Sequence, residues 1–119
     1  MAPIDAVAAD LEAAAALLQE RRPYARQRHA IIAANPELRE RELIKLATLG
    51  SALADALRKR GVQDPAASLV AEVGIAVFRA AFDRWIDEVN QRDFPQLIRE
   101  ALDELKALTA EDRQDVVQQ

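Results

Sequence analysis

His29 is the one histidine in the chain, and there is no cysteine. A histidine-based metal site would need carboxylate partners at a ligand spacing such as HExxH, and none stands beside His29. Its plain reading, a half-exposed helical residue, comes first. The carboxylates are many, but they alternate with Arg and Lys on what read as exposed helix faces. Paired catalytic acids sit in apolar surroundings that raise one pKa, and no pair here is isolated that way. The chain has no glycine-rich phosphate loop and no nucleophile elbow. The sequence therefore predicts no catalytic residue, no metal and no cofactor, and the protein is not expected to be an enzyme.

Two other patterns have both a bland and a functional reading. Phe78, Phe82 and Trp85 recur at helical spacing, and Ala47, Gly50 and Ala54 do so on an earlier helix. Small residues opposite large ones can simply make room for them in a core. They can also leave an elongated apolar cavity for a ligand, with Leu11, Leu18 and Ile32 closing it. Tyr24, His29, Thr48 and Ser51 would then be the few polar groups able to orient a head group. The second pattern is basic: Arg21, Arg22, Arg26 and Arg28, then Arg39, Arg41 and Lys45. Glu37, Glu40 and Glu42 neutralise part of it, so it reads as solvated surface or as a phosphate site at a pocket mouth.

The elements that must position these residues are helices. The longest apolar stretch, from Pro65 to about Glu88, has only a narrow polar strip of Ser68, Glu72, Arg79 and Asp83. One face carries Ala71, Ile75, Phe78, Phe82 and Trp85. Another, smooth and small, carries Val70, Val73, Gly74, Val77, Ala80 and Ala81. A helix apolar over most of its circumference needs covering on two sides. The chain's own helices are expected to supply one cover and a second copy of the protein the other. Asp64 is expected to cap this helix, with Pro65 at its first position.

Four more helices are expected around it. The first runs from Pro3 to about Arg22, with Ile4, Val7, Ala8, Leu11, Ala15 and Leu18 on one face. The second runs from Pro23 to about Ala34. Asn35-Pro36 then stops it and caps a third, Pro36 to Arg60, which Gly61 ends. After the polar stretch EVNQRD, Asp93 and Gln96 resemble a capping box for a fifth helix to about Leu108. Its stripe is Phe94, Leu97, Ile98, Ala101, Leu102, Leu105 and Leu108. Residues 1–108 read as one domain and 109–119 as a polar tail. No alternating run reads as a strand, so the fold class is all-α.

Half the 119 residues are hydrophobic, 30% are charged and the net charge is −4. That composition is globular, and its acidity argues against duplex-DNA binding by bulk electrostatics. No apolar run is long enough for a membrane span, and the acidic start MAPIDAVAADLEAA lacks the basic region of a signal peptide. A cytoplasmic location is expected.

The stretch RRPYARQRHAIIAANPELRERELIKLATLGSALADALRKRGV, Arg21 to Val62, resembles the C-terminal domain of TetR/AcrR-type transcriptional regulators. In particular it resembles the group with members associated with mycofactocin gene clusters. DPAASLVAEVGIAVFRAAFDRW continues the likeness into that group's dimerisation helix. The resemblance implies a homodimer joined by a four-helix bundle of the last two helices. It also implies a small-molecule effector, acyl-CoA ligands being associated with this group, and DNA binding only through an N-terminal helix-turn-helix that is missing from this sequence.

Together these readings predict a five-helix, TetR-type regulatory domain acting as a homodimeric sensor of an apolar small molecule, such as an acyl-CoA or fatty acid. Its ligand residues would be Tyr24, His29, Ile32, Ala47, Gly50, Ala54, Phe78, Phe82 and Trp85. Its dimer face would hold Val70, Val73, Gly74, Val77, Ala81, Arg84, Ile98, Leu102 and Leu105. The rival reading is a ligand-free helical dimerisation or adaptor module whose aromatic face is ordinary core.

Overall fold

The structure is a computed structural model that describes residues 2–87, 89 and 91–110. The described residues are all-α. Helix α1 is Pro3–Leu18, followed by a 3₁₀ turn at Gln19–Arg21; α2 is Arg22–Ala33 and α3 Pro36–Lys59. Helix α4 is Ala66–Ile86 and α5 Phe94–Thr109. The tail expected at 109–119 begins with the last residue of α5, and 111–119 lie outside the described residues.

Local chemistry explains the boundaries. Asn35 Oδ1 accepts from the backbone N–H groups of Glu37 and Leu38, at 3.0 and 3.4 Å, so it caps α3 as its position beside Pro36 predicts. At the other end Gly61 adopts φ 95°, and the Val62 N–H donates to the Leu57 carbonyl. That is a Schellman ending, which needs the left-handed residue glycine supplies. Two expected caps are differently made. Asp64 does not cap α4: Arg58 and the Ser68 hydroxyl take its carboxylate, and the Arg58 hydrogen bond, the largest influence, holds its pKa below the ordinary value. Asp93 makes no side-chain cap bond; the first N–H of α5, on Phe94, donates 2.8 Å to Gln19 Oε1 instead.

The core lies among α1, α4 and α5. Helix α1 gives it Val7, Ala8, Leu11 and Ala15; α4 gives Ala67, Ala71, Gly74, Val77, Ala81 and Trp85; α5 gives Phe94, Leu97, Ile98 and Leu102. Ion pairs Arg99–Glu12 at 3.0 Å and Lys106–Asp5 at 2.6 Å lace α5 antiparallel to α1 along the rim. Helix α3 folds back on α4 through Gly50, Ala54 and Leu57. Helix α2 buries no residue at all. It lies across the end of α4, tied there by its arginines.

Part of the expected dimer face is covered within the chain itself. Gly74, Val77, Ala81, Ile98 and Leu102 are buried inside one copy of the chain. A Cβ on Gly74 would stand 2.6 Å from Val7 Cγ1, so the glycine is there to let α1 close on α4. Arg84 lies 3.7 Å from Glu100 of its own chain. Gly74, Val77 and Ala81 of the smooth face of α4 are thus spent inside the chain. What remains outward is the neighbouring stripe: Leu69, 61% exposed, then half-buried Val73, and Ala76 and Ala80, at i, i+4, i+7 and i+11.

Candidate ligand groove and aromatic hub

Trp85 has no exposed surface, stacks on Phe94 at 4.6 Å between centroids, and lies 5.8 Å from Phe82. Phe78 and Phe82 complete the cluster, at 5.3 and 5.9 Å from Phe94. The expected cavity, with these aromatics facing Ala47, Gly50 and Ala54, is corrected by this packing. Phe94 of α5 fills the aromatic face from the other side. Helix α3 meets α4 one to two turns earlier, where a Cβ on Gly50 would touch Ile75 and Glu72 at 3.5 and 3.7 Å. Ala47 is exposed. Gly50 and Ala54 instead edge a polar hollow of about 240 Å³ with Ser51, Asp55, Arg58, Ser68 and Glu72.

Gln19 joins this hub, and nothing in the spacing of the sequence singled it out. Its Oε1 accepts from the Trp85 indole N–H at 2.9 Å as well as from Phe94 N–H. One amide oxygen thereby fixes the buried tryptophan and starts α5. A buried indole N–H without such a partner would be costly. His29 sits edge-on to Phe82 at 5.9 Å, a packing role on the α4-facing side of α2.

Two arginines on that same side complete the hub. Arg22 Nε donates to the Trp85 carbonyl at 2.8 Å; Arg26 donates to the Ile86 and Asp87 carbonyls, each at 3.0 Å. The last carbonyls of a helix have no partner within it and carry the negative end of its dipole, so cations suit them. The basic run of α2 is therefore partly structural. Burial, and then the neighbouring Arg26, draws the Arg22 pKa below its ordinary value.

The opposite side of α2 opens on a groove of about 450 Å³ against α3. Tyr24, Gln27, Arg28, Ile31 and Ile32 form one wall, and Leu38, Arg41, Glu42 and Lys45 the other. Of the expected ligand residues, Tyr24 and Ile32 are here; His29, Phe78, Phe82 and Trp85 are in the hub; Gly50 and Ala54 are at the polar hollow. The structure does not bring the three groups together. Leu38 and Gln27 belong to the groove through the hairpin geometry of α2 and α3, which residue spacing within one helix does not reveal. Glu42 reaches across the groove to Arg28, and Lys45 lies 3.3 Å from it. The Arg28 hydrogen bond, partly opposed by burial, holds the Glu42 carboxyl below its ordinary pKa.

No metal-holding cluster of His, Cys, Asp or Glu occurs among the described residues, and no helix among them is long and apolar enough to cross a membrane. A search of curated proteins gives no match to the chain. The family described as the MftR C-terminal domain matches residues 1–110, nearly the whole chain and all of its helices. On that match the protein belongs to the TetR-family C-terminal domains, the regulatory part of transcription regulators, and to the MftR group among them.

Proposed function

We propose that the protein is the sensing and dimerising part of a TetR-like transcriptional regulator, acting in the cytoplasm by binding and without turnover. The small molecule it senses lies in the groove between α2 and α3. The observation that carries this reading is the groove's lining: Ile31, Ile32 and Leu38 offer an apolar bed, and Tyr24 and Arg28 stand at its edge. A volume of about 450 Å³ suits a small organic ligand. A fatty acyl compound fits that lining better than a compact polar metabolite.

The second copy of the chain covers the outward stripe of α4. Leu69, Ala76 and Ala80 are exposed, Val73 is half-buried, and Leu105 and Leu108 of α5 lie on the antiparallel neighbour. Val70, Val73 and Leu105 of the expected interface remain in this proposal. Small side chains let two copies of α4 approach closely, so the bundle forms from one α4 and one α5 of each copy. DNA enters only through a separate helix-turn-helix segment.

The adaptor reading keeps one observation in its favour, the packed aromatic hub. Titration calorimetry with a series of fatty acids and acyl-CoAs separates the two readings. Saturable binding that Ile32→Asp weakens supports the sensor; no heat with any member of the series leaves the adaptor. Sedimentation tests the interface. Ala76→Arg should turn a dimer into a monomer that is still folded, and a wild-type monomer at micromolar concentration would overturn the second cover.

A further inference from the structure

The groove has an uneven charge balance. Arg28, Arg41 and Lys45 line it against a single carboxylate, Glu42. Glu42 serves Arg28 and Lys45 together, while Arg41 has no hydrogen-bond or ion-pair partner among the described residues. Positive charge therefore exceeds negative at the edge of an apolar bed made by Ile31, Ile32 and Leu38. An apolar chain that ends in one anion matches this lining along its whole length, with its head on the guanidinium groups of Arg28 and Arg41.

Arg28 is already occupied, however, and by a group of the same chemistry as such a head. We propose that Glu42 is a resident stand-in for the ligand's anion: it holds Arg28 in the empty groove, and a carboxylate or phosphate head displaces it. The proposal rests on the groove reading above. Its physical basis is the weakness of the pair. The Arg28 and Glu42 side chains keep 41% and 30% of their surface in water, where such pairs contribute little and exchange partners cheaply. The pair also bridges α2 to α3. Replacing it with a ligand removes one direct link between the helices and substitutes one that passes through the bound molecule. Glu42 thereby holds back anionic amphiphiles relative to neutral ones of equal length, because an anion must displace it from Arg28 whereas a neutral head leaves the pair in place.

Titration calorimetry tests this with three probes of one chain length, kept below micelle formation: decanoate, decyl phosphate and decanol. Glu42→Gln should tighten both anions by about fivefold, the scale of one exposed ion pair, and leave decanol unchanged. Arg41→Gln should weaken the anions and not decanol. Glu40→Gln, which removes an equal charge from the same helix outside the groove, should change none of them. The two anions tell a carboxylate head from a phosphate head by which binds tighter. If wild type binds decanoate but Glu42→Gln binds it no better, Glu42 is no competitor and the proposal falls while the groove reading stands. Equal tightening by Glu40→Gln would reduce the effect to bulk charge and sink it too. Should wild type and Glu42→Gln bind none of the three, the groove reading fails along with it.

Discussion

The α1–α4–α5 layer and the α2–α3 hairpin are built on different physics. In the layer, alanine and glycine bring helices close, and Trp85, Phe94, Leu97 and Ile98 are wholly buried. In the hairpin, α2 buries nothing, and Tyr24, Ile31, Leu43 and Ile44 all stand more than half exposed. Hydrogen bonds from Arg22, Arg26 and Arg28, rather than apolar burial alone, locate α2. Burial of apolar area is the dominant stabilising force in folding, whereas exposed charged contacts contribute little. The layer, with α3 packed on α4 through Gly50, Ala54 and Leu57, is the rigid body, and α2 is the part that can move at small cost. A sensor needs that division, because a ligand can shift only an element whose alternatives lie close in energy.

The largest test of the contrast sets Trp85→Ala against Tyr24→Ser. Losing the buried indole should cost about 3–5 kcal/mol in chemical denaturation, whereas the exposed tyrosine should cost less than about 0.5 kcal/mol. Comparable losses would erase the distinction between the layer and α2.

Two glycines sharpen it next. At Gly74 an added Cβ meets Val7 at 2.6 Å, and the β-branched valine has little freedom to yield. Gly74→Ala should therefore destabilise by about 1–2 kcal/mol even though alanine is the better helix former. At Gly50 the nearest atom is at 3.5 Å, an ordinary contact. Gly50→Ala should be neutral or stabilise by up to about 1 kcal/mol. Thermal melts of the two variants should thus move in opposite directions.

Arg26→Ala removes two bonds to the end of α4 and should cost about 1 kcal/mol. Its more telling effect should appear in hydrogen exchange, where α2 amides speed up and those at the centre of α4 do not. Wild-type α2 amides exchanging as slowly as those of α4 would show that α2 is no looser than the layer.

The smallest effect is electrostatic. The folded-state pKa of Glu42 is depressed, chiefly by its bond from Arg28. Its contribution is therefore present above the ordinary glutamate pKa of about 4.3 and is lost as pH falls through the lower, folded value. Acid titration followed by NMR should disturb residues near Arg28 and Ile32 only once pH has fallen below the ordinary glutamate range. Glu42→Gln should remove that step.

Much of the helix order was legible in the sequence because its signals are local. The spacing of Val7, Leu11 and Ala15, the Asn35-Pro36 stop and Gly61 each act within a turn or two of chain. That α4 is apolar nearly all round was legible as well. What covers each side was not, because Gly74 and Val77 satisfy equally well a second copy or the chain's own α1. The choice was made by Val7, some seventy residues away. The candidate site was legible only in pieces. Tyr24 and Ile32 stand in the groove, but their facing wall, Leu38, Arg41 and Glu42, is set by how α2 folds back on α3. That Phe78, Phe82 and Trp85 share one face of α4 is legible from their spacing; the filling of that face by Phe94 needs the fold.

The bonds made by Gln19, Arg22 and Arg26 also carry information about time. They join residues 60 to 75 positions apart, and each closes a long loop for a few polar contacts. Such closures cost entropy before anything repays it, so they follow the short-range hairpins in forming. The end of α4 and the start of α5 are therefore completed late, by a segment that precedes both in the chain. Until Gln19 arrives, Trp85 and Phe94 can meet, but neither the indole N–H nor the first amide of α5 has this acceptor. On refolding, tryptophan burial should precede protection of the Phe94 amide.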